Sequence, residues 1–551
     1  MPPRNSVDAS LILRLTLLLA LAFSQGTALA QGVGLQLSDR DPPPTEEIQP
    51  LPAPLSRSVP EPVLEGPRLT PNAQPPTLRS AEPAKTDQVL PINLATALYL
   101  SNARPLVIAA AEASEAQAAA QLQNARVLWL PNLNIGLDYY DHSGAEQAVD
   151  GTVLFPNKSS FVAGGGATLS LGVTDALFRP LAARQELAAR QYDVQAARND
   201  ALLAVALAYF DVQYSRGKLA ATLDTVAKGE DLVKKISGLA AGLIPEIEVD
   251  RARAFVIELR QEVAGARSIW RVSSARLTRV LRLNPSSVVV PLEPPHLQVT
   301  LISPEIFVDA LVPVGLTNRP ELASQRALVD ATLERLRQER LRPLIPSVVL
   351  QGRGPGGALN AGFFGGGRNA GLETWGGRTD VDLGVVWTLQ NLGLGNRTLV
   401  RERAAEQQKA LIALFNTQDQ IAQEVVQAQA QLEAAVTQVG EAEQGVKEAL
   451  IAFQGTLRGL GQARGAGDLL QLVNRPQEAV AALQQLNRAY ENYFRSITAY
   501  NQAEFQLYHA LGFPARTLAV ERPTGEIQPV DTNRPPQMAP VCPHVLTDPC
   551  R

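Results

Sequence analysis

The sequence is poor in the residues that usually carry chemistry. Among its 551 residues are four His, four Trp and two Cys, and aromatic residues make up 5%. His142, His296, His509 and His544 are scattered, with no nucleophile–base pair or phosphate loop beside them, so the sequence points to no enzyme, cofactor or metal centre. The glycine-rich Gly354–Gly377 lacks the lysine and the strand–loop–helix setting of a phosphate loop and reads as a surface loop. A net charge of -4 gives nucleic-acid binding no electrostatic support. The two cysteines, Cys542 and Cys550, lie near the end of the chain. They could close a small disulfide loop around His544 or stay unpaired, and a metal there would lack a fourth ligand.

Long hydrophobic runs are also missing. The longest early one, Leu15–Phe23, is about nine residues, well short of the roughly 20 that a spanning helix needs. With Arg4 and Arg14 before it and Ala28-Leu29-Ala30 after it, residues 1–30 read as a secretory signal peptide cleaved after Ala30. No cysteine follows that site, so no lipid anchor is expected there. No later helix is expected to span a membrane, which leaves any insertion to strands.

Alanine, leucine and glutamine dominate what is present, a composition for long, narrow helical packing. The chain repeats itself at an offset of about 215 residues. Arg104-Pro105 recurs as Arg319-Pro320, and Pro131, where a helical pattern gives way to period two, recurs as Pro346. The expected order is a signal peptide (1–30), a Pro-rich linker (31–89), a first repeat (90–285), a connector (286–304), a second repeat (305–514) and a tail (515–551). Each repeat reads as helix, strand, strand, long helix and returning helix. The long helices are expected from Leu181 to about Ser237 and from Arg397 to about Leu457, and the returning ones over 246–282 and 468–511. Two shorter helices stacked on one axis beside each continuous long one would match it in length, which makes a cylinder wall.

Four strands alternate. Leu133, Ile135, Leu137 and Tyr139 share one face of the first, and Ala167, Leu169, Leu171 and Val173 one face of the second. The third is Ser347–Gly352. In the fourth, Asp380–Leu389, Val381, Leu383, Val385, Trp387 and Leu389 point one way. Faces this apolar on one side suit either a sheet packed on a core or a barrel wall between lipid and water. The only other elements are long helices that lead away, and four strands cannot close a barrel, so the sheet is expected to be completed by other copies of the chain. The fold class expected is mainly α with a small β part: duplicated long-helix hairpins forming an α-helical barrel, with four strands per chain in a shared transmembrane β-barrel. A periplasmic coiled-coil adaptor or structural protein without a pore is the alternative reading, and a stand-alone porin would not need such helices.

The chain resembles the TolC-type outer-membrane factors. The likeness is carried by Leu94–Gly136, by Val205–Val212 (VALAYFDV), by Gly242–Arg253 (GLIPEIEVDRAR), by Tyr500–Phe505 (YNQAEF) and by Leu511-Gly512. It implies a homotrimeric outer-membrane channel with a long periplasmic extension, embedded in outer-membrane lipid. It also implies docking on a periplasmic adaptor and an inner-membrane pump, as the exit duct of a tripartite efflux or type I secretion system. The family closes its duct by charged and polar links at the periplasmic tip. Arg464 and Asp468 match two of those positions, whereas Gln471 and Gly459 stand where the family has an aspartate and a tyrosine. Glu248 and Arg251 on the first hairpin are the other candidate tip residues.

Overall fold

In the computed structural model the described residues are 68–69, 78–101, 105–239, 244–351, 359–369, 371–460, 462–466, 469–472 and 474–513. The chain divides into two units, and the first, residues 1–61, lies wholly outside the described residues. So do the expected signal peptide, both cysteines and Asp468. Every described element belongs to the second unit.

Its helices are α1 (Leu94–Ser101), α2 (Leu106–Arg126), α3 (Val173–Leu239), α4 (Glu246–Leu281), α5 (Val308–Asn318), α6 (Pro320–Leu341), α7 (Leu394–Gly459) and α8 (Pro476–Ala510). The repeated proline explains one shared feature. A residue before proline is pushed out of the helical region, and Arg319 is extended at φ -68°, ψ 120°, separating α5 from α6. Pro105, itself extended at φ -61°, ψ 135°, precedes α2 as its N-cap. The long helix α3 starts eight residues earlier than the expected Leu181 and runs through Pro180, which the sequence pattern marks as its boundary. At 67 residues it is about 100 Å long.

These helices stand in a row. In its first half α3 lies between α2 and α6, tied by Arg198–Glu112 at 3.1 Å and by the Ser324 hydroxyl donating to Asp193 at 2.6 Å. In its second half α3 lies between α4 and α8, tied by Arg260–Glu230 at 2.7 Å and Lys218–Glu491 at 2.8 Å. Along its length α7 packs first on α6 and then on α8. The upper row is therefore α2–α3–α6–α7 and the lower row α4–α3–α8–α7.

The core is a seam along α3 and α8, where Tyr209, Phe210 and Phe505 are buried and the last two rings lie 5.5 Å apart. The connector is pinned to that seam by side chains. Asn501 Oδ1 accepts the Val299 amide at 2.8 Å, and Glu504 Oε2 accepts the amides of Leu301 and Ile302 at 3.0 and 3.1 Å. On the other side Glu293 accepts the Leu94 amide at 2.7 Å and the Tyr209 hydroxyl. Strand β1 (Gln88–Ile92) pairs in parallel with β4 (Ser287–Pro291), joining the two ends of the first repeat. The Val205–Val212 and Tyr500–Phe505 segments are thus anchors of the fold.

The main sheet holds β2 (Asn132–Ser143), β3 (Asn157–Gly172), β5 (Ser347–Gln351), β6 (Leu359–Gly367) and β7 (Thr374–Val386), all antiparallel. Four strands are expected from the sequence, and the sheet has five segments. Both β5 and β6 pair with β3 on one side and β7 on the other, Gln351 facing Asp382 and Leu359 facing Val381. They occupy one row, and residues 352–358 between them lie outside the described residues. The stretch Gly354–Gly377, expected to be a surface loop, and the polar, glycine-containing His142–Gly166, which the sequence places between the first two strands as a loop, hold most of the extra strand length. Their Gly-rich sequence hides the alternation, yet the close approach needs it: a Cβ on Gly362 would lie 2.3 Å from the Ala163 carbonyl oxygen.

Three further expectations are corrected. Val173, expected on the second strand, begins α3, and Trp387 and Leu389 lie just past the end of β7. The returning helix expected from Asp468 starts instead at Pro476, a proline suited to a first helical position, after a hairpin of β8 (Ala463–Ala466) and β9 (Leu469–Leu472). The stretch Leu94–Trp129 is apolar enough by length and composition to cross a membrane, contrary to the expectation that no such helix follows the signal. Its hydropathy comes chiefly from Leu94, Leu98, Leu100, Leu106, Val107 and Ile108. It contains the break at Pro105 and packs Ile108, Ala118 and Leu122 inward.

Candidate functional site

The register carries one apolar face across every row of the sheet. Leu133 and Leu137 of β2 face Ala167 and Ala163 of β3, and Leu169 and Leu171 of β3 face Leu350 and Val348 of β5. Those two in turn face Leu383 and Val385 of β7. The other face carries Asn132, Asn134 and Asp138 from β2, Thr168 and Ser170 from β3, and Asp382 from β7. Across it the Asn134 amide donates to Thr168 Oγ1 at 2.8 Å.

Among the described residues no layer covers the apolar face. Ile135 is 83% exposed and Leu383 54%, while Leu133, Leu137, Val385 and Trp387 are exposed as well. A sheet packed on a core would bury these side chains, so that reading of the strands is excluded. Leu169 is half-buried, and Leu171 departs from the set: at 8% exposure it is buried inside the chain, where β3 runs into α3. The side chain of Val381 lies outside the described residues.

The height of the face is informative. From Val385 to Trp375 on β7, both exposed, is ten steps, about 33 Å along the strand, or roughly 25 Å when tilted by about 40°. That is the height of the apolar band of an outer-membrane barrel. Aromatic side chains bracket it: Trp129 and Trp387 at the helix end, and Tyr139, Phe161 and Trp375 at the other. Among the described residues β2 pairs only with β3, and β7 only with β5 and β6, which leaves two long edges open.

At the opposite end of the long helices, the tip joins the two repeats. Glu248, near the start of α4, is buried, and its Oε1 accepts from Arg251 Nη1 at 2.7 Å and from Gln477 Nε2, in the first turn of α8, at 2.9 Å. Gln477 carries no mark of its own in the sequence; Pro476 beside it, marking a helix start, is the available signal. The backbones of Arg464 and Gln471 are cross-strand partners in the β8–β9 hairpin. Gly459 closes α7, and the place a side chain would take there is filled by Asn474, whose Nδ2 donates to the Thr456 carbonyl at 3.3 Å. A Cβ on Gly459 would sit 2.2 Å from that nitrogen, so the missing tip tyrosine is tied to Asn474.

Residues 97–281 match the family model described as outer membrane efflux protein. No curated protein matches the sequence. The fold is similar to that of the outer membrane protein VceC from Vibrio cholerae, at 16% identity and a TM-score of 0.59, covering 76% of this chain and 96% of that one. It is similar to the Campylobacter jejuni CmeC outer membrane channel, at 16% identity and 0.58, covering 78% and 87%. It also resembles the Neisseria gonorrhoeae MtrE outer membrane channel in its open state, at 15% identity and 0.59, covering 81% and 96%.

Proposed function

We propose that this chain, with the fold of outer-membrane efflux channels, is one third of a homotrimeric duct. Its four sheet rows join those of two other copies in a twelve-stranded barrel in the outer membrane. The helix rows continue as a duct into the periplasm, where the tip meets an adaptor and an inner-membrane pump of an efflux or type I secretion system. Residues 90–285 and 305–514 are the two repeats, between a signal peptide (1–30), a Pro-rich linker (31–89), a connector (286–304) and a tail (515–551). This reading assigns no catalysis.

The observation that carries it is the uncovered apolar face with two open edges. Unpaired backbone groups in hydrocarbon cost several kcal/mol each, so a lipid-facing sheet must close. The number of rows is even, so β7 runs antiparallel to the β2 of a next copy and each added copy continues the order. A pore-free coiled coil would have no use for this face.

The tip is the proposed gate. Glu248 holds α4 to α8 within a chain, while the hairpin carrying Arg464 and Gln471, with Asp468 between its strands, is the candidate closure between chains. Reconstitution of the full chain in a planar bilayer tests the reading: discrete conductance steps are expected. Recovery of the protein as a soluble, non-conducting monomer would overturn it.

A further inference from the structure

Where the helices meet the sheet, the charge balance changes. The whole chain carries a net charge of -4, yet arginines crowd the two turns of each upper helix nearest the strands. Arg126 ends α2, and Arg340 lies in the last turn of α6. Arg179 lies within the first two turns of α3, and Arg397 and Arg401 within the first two turns of α7. All five are exposed, and among the described residues none makes an ion pair. The carboxylates of the same turns are Asp175, Glu334 and Glu339, and other arginines take them. Arg342 lies 2.7 Å from Asp175 and 3.1 Å from Glu339, and Arg337 lies 2.7 Å from Glu334. Arg335 and Arg403 are held likewise by Glu186 and Glu406. Among the described residues Glu402, beside Arg401, is the one exposed carboxylate bordering the five, so a cationic surplus remains.

Helix stability does not account for this placement. A cation at a helix C-terminus is favourable, which covers Arg126 and Arg340. At an N-terminus it opposes the helix dipole, and acidic residues are preferred there. The first turn of α7 holds no acid. The positive ends of α3 and α7 therefore add to the charge of Arg179, Arg397 and Arg401 instead of offsetting it.

The same level is apolar too. Leu130, Leu344, Leu389, Leu392 and Leu394 fall between the strand ends and these arginines, and all are exposed, Leu392 at 97%. Trp129 and Trp387 mark the edge of the apolar band beside them. A site for a dissolved anion would not use these leucines. A membrane interface uses all three residue types: leucine at the acyl boundary, tryptophan at headgroup level and arginine reaching to phosphate.

We infer that the five arginines form a collar that binds anionic phospholipid headgroups of the periplasmic leaflet. The inference rests on the reading of the sheet as a lipid-facing wall and adds the class of lipid. A cluster of about four to eight cations beside a spanning element is the pattern by which proteins hold anionic lipid. Three copies around one axis would repeat it, gathering such lipid at the base of the barrel.

Lipid quenching in vesicles carrying the full-length protein tests the collar. With Trp375→Phe throughout and Trp270 buried at 2% exposure, brominated lipid beside the protein reports on Trp129 and Trp387. Brominated phosphatidylglycerol should be favoured over brominated phosphatidylcholine by about fivefold or more, and added salt should weaken the preference. Arg→Gln at all five positions should bring the ratio to about one, whereas Arg→Lys at the same five should keep it. Should the five-glutamine chain fail to assemble, Arg397→Gln with Arg401→Gln should still lower the ratio by about half. A wild-type ratio near one, or an unchanged ratio after the Arg→Gln changes, would overturn the collar and leave the lipid-facing wall standing. Quenching by neither lipid would overturn the wall, and the collar with it. Pyrophosphate block of a planar-bilayer current, lost with the Arg→Gln changes, would place the arginines in the lumen and overturn the lipid assignment.

Discussion

Replacing Ile135 by arginine separates a membrane wall from a water-exposed sheet. Ile135 of β2 pairs with Gly165 at mid-height of the apolar face and is 83% exposed in the chain. In water a substitution at so open a position changes stability by no more than about 0.5 kcal/mol. In hydrocarbon a cation near mid-membrane costs about 2–4 kcal/mol, so three copies in one barrel lose roughly 6–12 kcal/mol. Leu383→Arg, at 54% exposure on β7, should behave alike. Asp138→Arg on the polar face serves as the control. Leu171→Arg is uninformative, because Leu171 is already buried within the chain and its loss would disturb either architecture. The assay is refolding into phosphatidylcholine vesicles, read as the yield of oligomer resistant to SDS and protease. Ile135→Arg should abolish most of that yield while Asp138→Arg keeps it. Equal yields from wild type and Ile135→Arg would refute the lipid-facing assignment.

Burial pushes the Glu504 carboxyl up to about 7, against the pull of the Leu301 and Ile302 amides and the Tyr500 hydroxyl. The folded chain then holds this proton more tightly than the unfolded chain, whose value is near 4.5. The stability it contributes is complete below about pH 4.5 and is lost as the pH rises to about 7, by on the order of 3 kcal/mol. Glu504→Gln should flatten that slope in a melting series across the same pH window, and an unchanged slope would count against it. Gly217→Leu should lower the melting temperature, since a Cβ there lies 2.6 Å from the Phe494 ring and overpacking costs about 1–3 kcal/mol; an unchanged melt would mean that the two helices part freely. Glu248→Ala removes the acceptor shared by Arg251 and Gln477 and should raise single-channel conductance. Wild-type conductance in that variant would place the closure elsewhere.

The helices are legible because 3.6-residue patterns and prolines survive in the sequence. The errors lie where one residue type has two meanings. Pro180 reads as a boundary, yet α3 runs through it, whereas Pro476 does start a helix. In the sheet, Leu133, Ile135 and Leu137 show their face through strict alternation. The runs around Gly164 and Gly365 show none, because glycine has no side chain to alternate, and so strands read as loops. The merging of β5 and β6 into one row is a matter of register, which depends on β3 and β7 far off in the chain. At the tip, Glu248 and Arg251 are legible as a charged pair three residues apart on a helix. Their third partner, Gln477, comes from the other repeat, and only the packing of α4 beside α8 brings it near.

The most direct test of the shared barrel is disulfide cross-linking between its two open edges. In a chain with Cys542 and Cys550 replaced by serine, Asp138→Cys on β2 is combined in turn with Cys at 380, 382 and 384 on β7. The protein is then oxidised in isolated outer membranes. Closure by three copies predicts bands of two and three chains, none larger, and strongest for one register of the scan. A chain that stays monomeric in every combination, or that is absent from the membrane fraction, would contradict the account.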